Sequence, residues 1–183
     1  MMLSLLILLI LVWSFYIGYS RGIILQGFYT LGVILSFFVA TRFYQKVAEA
    51  ITLWVPYSNP AEGASVYFFK EVALFDLHYV YYAGVAFCLV FFASYLVMRL
   101  LGIFVHFAPI DYFDRTPAHL ISGLLGVLLT LIFMSLGFST LATIPMAFVQ
   151  NLLYSNPFIT FLINGFPILT ALIKHFWVSM ILK

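Results

Sequence analysis

Gly18-Tyr19-Ser20-Arg21-Gly22 is the polar break that decides the fold, because Arg21 is the first charged residue of the chain and uncharged apolar runs lie on both sides of it. Residues 1–20 and 22–41 each supply about 20 residues, the length with which a helix crosses ~30 Å of hydrocarbon. The opening therefore reads as a helical hairpin in a membrane that turns where two glycines flank the charge. Gly18 and Gly22 also have the spacing of a helix-dimerising pair, but Arg21 between them favours a tight connection.

Composition extends this reading to the whole chain. Of 183 residues, 65% are hydrophobic and 8% charged, with a mean hydropathy of +1.15. A soluble domain carries ~25% charged residues, so too few remain here to cover a water-facing surface. A spanning backbone must satisfy its own hydrogen bonds, and these runs are too long for barrel strands, which leaves a single all-α integral membrane domain. The net charge of +2 is scattered and points to neither nucleic acid nor a polybasic lipid patch; the lipid bilayer is the partner the composition implies. The first run lacks a basic start and an A-x-A-like cleavage site, so it is expected to be retained as a helix. Cys88 is alone and offers no intrachain disulfide and no cysteine zinc cluster.

The pattern predicts four transmembrane helices in two hairpins, over about 3–18, 23–43, 77–105 and 120–144. Small or polar residues mark their packing faces: Gln26, Gly27, Thr30 and Gly32 on the second, Gly84 and Cys88 on the third, Ser122, Gly123 and Gly126 on the fourth. In lipid, close packing stands in for the missing hydrophobic force between helices. Arg42, Lys46 and Glu49 keep helical spacing and carry the second helix beyond the bilayer, with Arg42 reaching to the headgroups. Trp54 and Tyr57 then flank Pro56 as interface anchors, and Asn59-Pro60-Ala61-Glu62-Gly63 supplies turn chemistry. Residues 64–76, with Lys70, Glu71 and Asp76, read as a short interfacial helix or a re-entrant segment.

Asp111, Asp114, Arg115, Thr116 and Pro117 form the second polar connection. No charge follows until Lys174, yet Asn156-Pro157 and Asn164-Gly165-Phe166-Pro167 cut the tail into short apolar pieces. On a helical wheel Leu169, Leu172, Ile173, Phe176 and Met180 gather on one side, and Thr170, Lys174, His175, Ser179 and Lys183 on the other. This predicts an amphipathic interfacial segment over 157–183, with a fifth span over 157–177 as the alternative.

The chemistry that a catalyst needs does not assemble in the sequence. All six carboxylates fall in connections, and Asp76 with His78 is the one pair close enough to suggest a proton or ion site. His106, His119 and His175 lack metal-binding spacing, and neither a phosphate-cradling P-loop nor a G-x-S-x-G turn occurs. The expectation is a non-enzymatic protein without catalytic, cofactor-binding or metal residues. Counting basic residues leaves the orientation open.

Arg21-Gly22 followed by Gln26 and Gly32, then Leu53-Trp54-Val55-Pro56-Tyr57, Tyr81-Tyr82 and Ser122-Gly123-Leu124-Leu125-Gly126 together resemble the colicin V production protein (CvpA) family, of the type found in Gram-positive bacteria. The resemblance covers nearly the full chain. It implies a four-helix cell-membrane protein linked to toxin or bacteriocin production and to envelope homeostasis, with no established catalytic activity. Some members carry an extracytoplasmic C-terminal protease domain, which implies that both termini here are extracytoplasmic. The expected role is a scaffold or accessory factor acting as a homo-oligomer or with a secretion or envelope partner. A small oligomeric transporter or channel is the alternative, motivated by Gln26 and Thr30.

Overall fold

The long apolar runs of the sequence become long helices. A computed structural model describes residues 2–57, 60, 66–105 and 115–182. The expectations placed on Asn59, on Ala61-Glu62-Gly63, on His106, on Asp111 and Asp114 and on Lys183 lie outside the described residues. Helix α1 covers Met2–Ile51, α2 Leu77–Val105, α3 Thr116–Ala142, α4 Ala147–Tyr154, α5 Pro157–Asn164 and α6 Leu169–Ile173, followed by a wider π-helical turn over Lys174–Ser179. No strand occurs among the described residues.

By length and composition α1, α2 and α3 can each cross a membrane, and a fourth crossing is reached if α5 and the segment Leu169–Ser179, bent by 59°, form one span. The two N-terminal helices expected from the sequence meet at a kink at Gly22, where the backbone leaves helical geometry (φ 77, ψ 166), and are labelled together as α1. That positive φ is costly for any residue with a Cβ, so the change of course falls on a glycine.

The chain divides into two compact units, Met1–Val39 with Phe91–Ile132 and Ala40–Val90 with Phe133–Lys183. In the first, α1 packs on α3 through backbone. A Cβ added to Gly18 would lie 2.6 Å from the Ser122 carbonyl oxygen and 3.3 Å from Gly126 Cα, and one added to Gly126 would lie 2.7 Å from the Ser14 carbonyl oxygen. Ser122 Oγ donates to the Gly18 and Gly22 carbonyls, and Thr130 donates to Ser14 Oγ at 2.8 Å. Beyond Gly22, α1 packs on α2, with Gly32 against Met98 and Tyr29 against Gly102.

The second unit is built around the C-terminal tail. Trp177, fully buried, sits on Gly84 of α2, and Tyr44 of α1 donates to the Phe176 carbonyl at 2.7 Å. Ser135 of α3 donates to the Leu162 carbonyl at 2.7 Å. The tail expected as an amphipathic interfacial segment over 157–183 is a chain of short helices packed against α1, α2 and α3. Its breaks are the ones the sequence marks: the Asn156 side chain accepts from the Phe158 and Ile159 amides with Pro157 in the first turn, and Ile168 at φ 65 restarts the helix after Pro167. Leu169 and Ile173 are buried as the wheel predicts, but Met180 is exposed and the third buried position is Trp177. Leu169, Ile173 and Trp177 repeat every four residues, a spacing that the wider π turn extends along one face.

Residues 66–76 form turns, not a helix, and bury Phe68, Phe69 and Val72. Pro145 closes the end of α3, where Gln150 of α4 is buried and fully engaged. Its Nε2 donates to the Ala142 and Ile144 carbonyls at 2.8 and 2.9 Å, and its Oε1 accepts from the Tyr67 amide at 2.9 Å. Replacing Gln150 by leucine strips three backbone groups of their partners and is expected to cost about 1–3 kcal/mol. An unfolding titration in mixed micelles measures this; a midpoint equal to wild type would show that these bonds are dispensable.

Candidate functional site

The sequence motifs singled out separately come together in pairs, one pair in each unit. In the first unit, Gly18 to Gly22 meets Ser122 to Gly126, and His119 Nδ1 lies 2.6 Å from the Tyr19 carbonyl oxygen. Phe15 fills the space over Gly123, where a Cβ would fall 2.7 Å from its ring. A Cβ on Gly32 would lie 3.1 Å from Met98 Cβ, whereas one on Gly27 would meet nothing within 4 Å among the described residues. Gln26 is buried and its Oε1 has no hydrogen-bond partner among the described residues, while its carbonyl accepts from Thr30.

Beside this seam Arg21 and Arg99 converge on one ring. Arg21 Cζ lies 5.1 Å and Arg99 Cζ 5.5 Å from the centroid of Tyr29, a residue 7% exposed and pinned against Gly102. Arg99 also donates to the buried Tyr95 hydroxyl. The two guanidiniums are the sole charges of two long apolar runs, and nothing in the spacing of residues so far apart in sequence announces their meeting.

In the second unit, Trp54-Val55-Pro56-Tyr57 meets Tyr81-Tyr82. Tyr57 lies 5.1 Å from Tyr81 and 6.4 Å from Tyr82, ring to ring, and donates to the Thr143 carbonyl at 3.2 Å; Tyr82 donates to the Val55 carbonyl at 3.0 Å. Burial, reinforced by Tyr81 and Tyr82, pushes the Tyr57 hydroxyl up to about 12, so it remains a protonated donor at neutral pH. Trp54, three residues past the end of α1, is 85% exposed, and Pro56 is exposed beside it. His78 Nδ1 is 2.6 Å from the Phe75 carbonyl, and its ring faces Tyr57 and Tyr79. A cleft of about 470 Å³ opens nearby, lined in part by Gln45, Glu49, Thr52, Tyr79 and Tyr82.

Two further features concern chemistry directly. Cys88 Sγ lies 3.4 Å from Thr140 Oγ1 on α3. Glu71 and Lys174 form an ion pair at 2.8 Å, both about half exposed. Partial burial opposes ionisation of Glu71, but the hydrogen bond and charge of Lys174 and a backbone hydrogen bond outweigh it and hold the carboxyl below its usual range. The contribution of this pair is thus present above the unfolded carboxyl pKa and fades as pH falls through the folded one. Solvent screening limits it to about 1 kcal/mol or less. Melting midpoints followed from neutral to acid pH should converge for wild type and Glu71→Gln; parallel curves would remove the linkage. No group of three metal-ligating side chains occurs among the described residues.

The polar side chains of both units are used chiefly on backbone carbonyls of neighbouring segments. That use, together with the long apolar helices, defines a polytopic α-helical membrane protein. The family model described as Colicin V production protein matches residues 3–167, and the chain belongs to that family. It is similar to the uncharacterized transmembrane protein YshB of Bacillus subtilis (strain 168), with 25% identity over 177 residues that cover 96% of this chain and 97% of the relative. No solved structure matches the chain.

Proposed function

We propose that the protein is a non-catalytic scaffold of the cell membrane that serves toxin or bacteriocin production and envelope upkeep by holding partner proteins at the bilayer. The observation that carries this reading is the employment of Ser122, Ser135, Tyr44, Tyr57, Tyr82 and Gln150 as donors to backbone carbonyls across segments. These are the hydroxyls and amides that a transfer reaction would otherwise need free.

The topology we infer is four spans in two hairpins with both termini extracytoplasmic. A straight 50-residue α1 would be about 75 Å long, more than twice the ~30 Å hydrocarbon core, and Gly22 divides it into two lengths that fit. Contact order supports the hairpin. Before Gly22, α1 pairs antiparallel with α3 (Ser14 with Thr130, Gly18 with Ser122), and after it antiparallel with α2 (Tyr29 with Gly102, Gly32 with Met98). Between α2 and α3 the pairing is again antiparallel, Gly84 with Thr140 and Cys88 with Leu136.

Reporters placed after Glu62, Arg115 and Lys183 test the topology, with the first and third expected outside and the second inside; a cytoplasmic C-terminus would overturn it. The scaffold role is tested by in-membrane crosslinking and by deletion. A specific partner and an envelope or secretion defect are expected. Flux of ions or peptides through the purified protein in liposomes would replace the scaffold by a transporter.

A further inference from the structure

We infer that Arg21 and Arg99, set against the ring of Tyr29, form a binding site for a phosphate oxyanion carried by a lipid headgroup or free in solution. The inference stands on this cluster and not on the scaffold reading. Each guanidinium lies within cation–π reach of the same ring. One ring can attract both cations, but it carries no net charge and cannot cancel their mutual repulsion. Among the described residues of this unit, 2–39, 91–105 and 115–132, there is no carboxylate, and the ionised side chains are Arg21, Arg99 and Arg115. Two like charges held together at the end of apolar helices are costly unless an anion joins them.

The platform is fixed in advance. Tyr29 is 7% exposed and lies against the backbone of Gly102, and Tyr95, 8% exposed, accepts from Arg99. Arg21 is half-buried and Arg99 exposed, so both cations are open to a ligand from outside the chain. A guanidinium presents paired N–H donors that match two oxygens of a phosphate, and two such forks around one phosphate select it over a singly charged halide.

The test uses the full chain in a neutral detergent. Native mass spectrometry with phosphatidylglycerol or phosphatidylcholine, and melting midpoints with sodium phosphate against sodium chloride at equal ionic strength, separate the sources. Wild type is expected to retain phosphatidylglycerol preferentially. Arg21→Gln and Arg99→Gln are each expected to weaken that retention about tenfold, the size of one lost charge-assisted hydrogen bond, while Arg42→Gln leaves it unchanged. The Arg21→Lys and Arg99→Lys variants keep the charge and the assembly but lose the fork, and intermediate retention supports bidentate contact.

Protection by phosphate equal to that by the lipid would make free phosphate the ligand. Equal retention of both lipids that is unchanged in the Arg21→Gln/Arg99→Gln double variant, without phosphate protection, would overturn the site, as would a wild-type preference that persists in that double variant. If Asp111 or Asp114 supplied the counter-charge instead, wild type would show no preference and Asp111→Asn/Asp114→Asn would acquire one, which would also overturn it.

Discussion

Trp177→Ala should be the most damaging single truncation in the second unit, at about 3–5 kcal/mol, the range for emptying a buried aromatic site. The indole is fully buried, rests on Gly84 and packs 5.9 Å from Phe87, ring to ring. Its removal leaves a void between the tail and α2 that neither helix can fill, because Tyr44 fixes the neighbouring carbonyl of Phe176. The fit can also be tested from the other side. A Cβ on Gly84 would lie 3.0 Å from the indole ring, so Gly84→Leu alone should destabilise. Combined with Trp177→Ala it should recover part of the loss. Unfolding midpoints of the two single variants and the double variant give the coupling; strict additivity would mean that the two residues do not share a socket.

Gly18→Ala and Gly126→Ala should each cost about 1–3 kcal/mol, the range for overpacking a close contact. Here the obstacle is backbone on both sides: a Cβ on Gly18 meets the Ser122 carbonyl, and one on Gly126 meets that of Ser14. No side chain can rotate away, so α1 and α3 must separate, and separation also loosens the bonds from Ser122 to Gly18 and Gly22. The double variant should cost less than the sum, since one displacement serves both. Gly27→Ala is the contrast: its Cβ would meet nothing within 4 Å, and alanine in a helix is favoured over glycine by about 0.5–1 kcal/mol. Loss of assembly in Gly27→Ala with normal assembly in Gly18→Ala would reverse the assignment of the seam.

These two sites differ in how far they could be read from the sequence. Gly18, Ser122 and Gly126 stand out by residue type and spacing, because small residues on long apolar helices have few other uses. That they meet each other is a tertiary fact which no local period encodes. Gly27 shows the limit of the same reasoning, since its spacing matches a packing face but, among the described residues, nothing would meet its Cβ within 4 Å. Trp177 escapes a wheel drawn at 3.6 residues per turn because the helix widens through Lys174–Ser179. Gln150 escapes because its value lies in the carbonyls left open at the end of α3, which become visible only once α4 folds back on them. Arg21 is legible as a charge at a turn. Arg99 as its neighbour on Tyr29 is legible only in three dimensions.

The 59° bend between α5 and the segment beyond Leu169 has a meaning for the surroundings of the tail. Where the chain passes from Gly165 to Ile168 the regular ladder of backbone hydrogen bonds stops, and hydrocarbon cannot complete it. If α5 and Leu169–Ser179 form one span, that corner is wetted or covered by protein and not by acyl chains. A spin label there is expected to report a hydrated environment in the isolated protein.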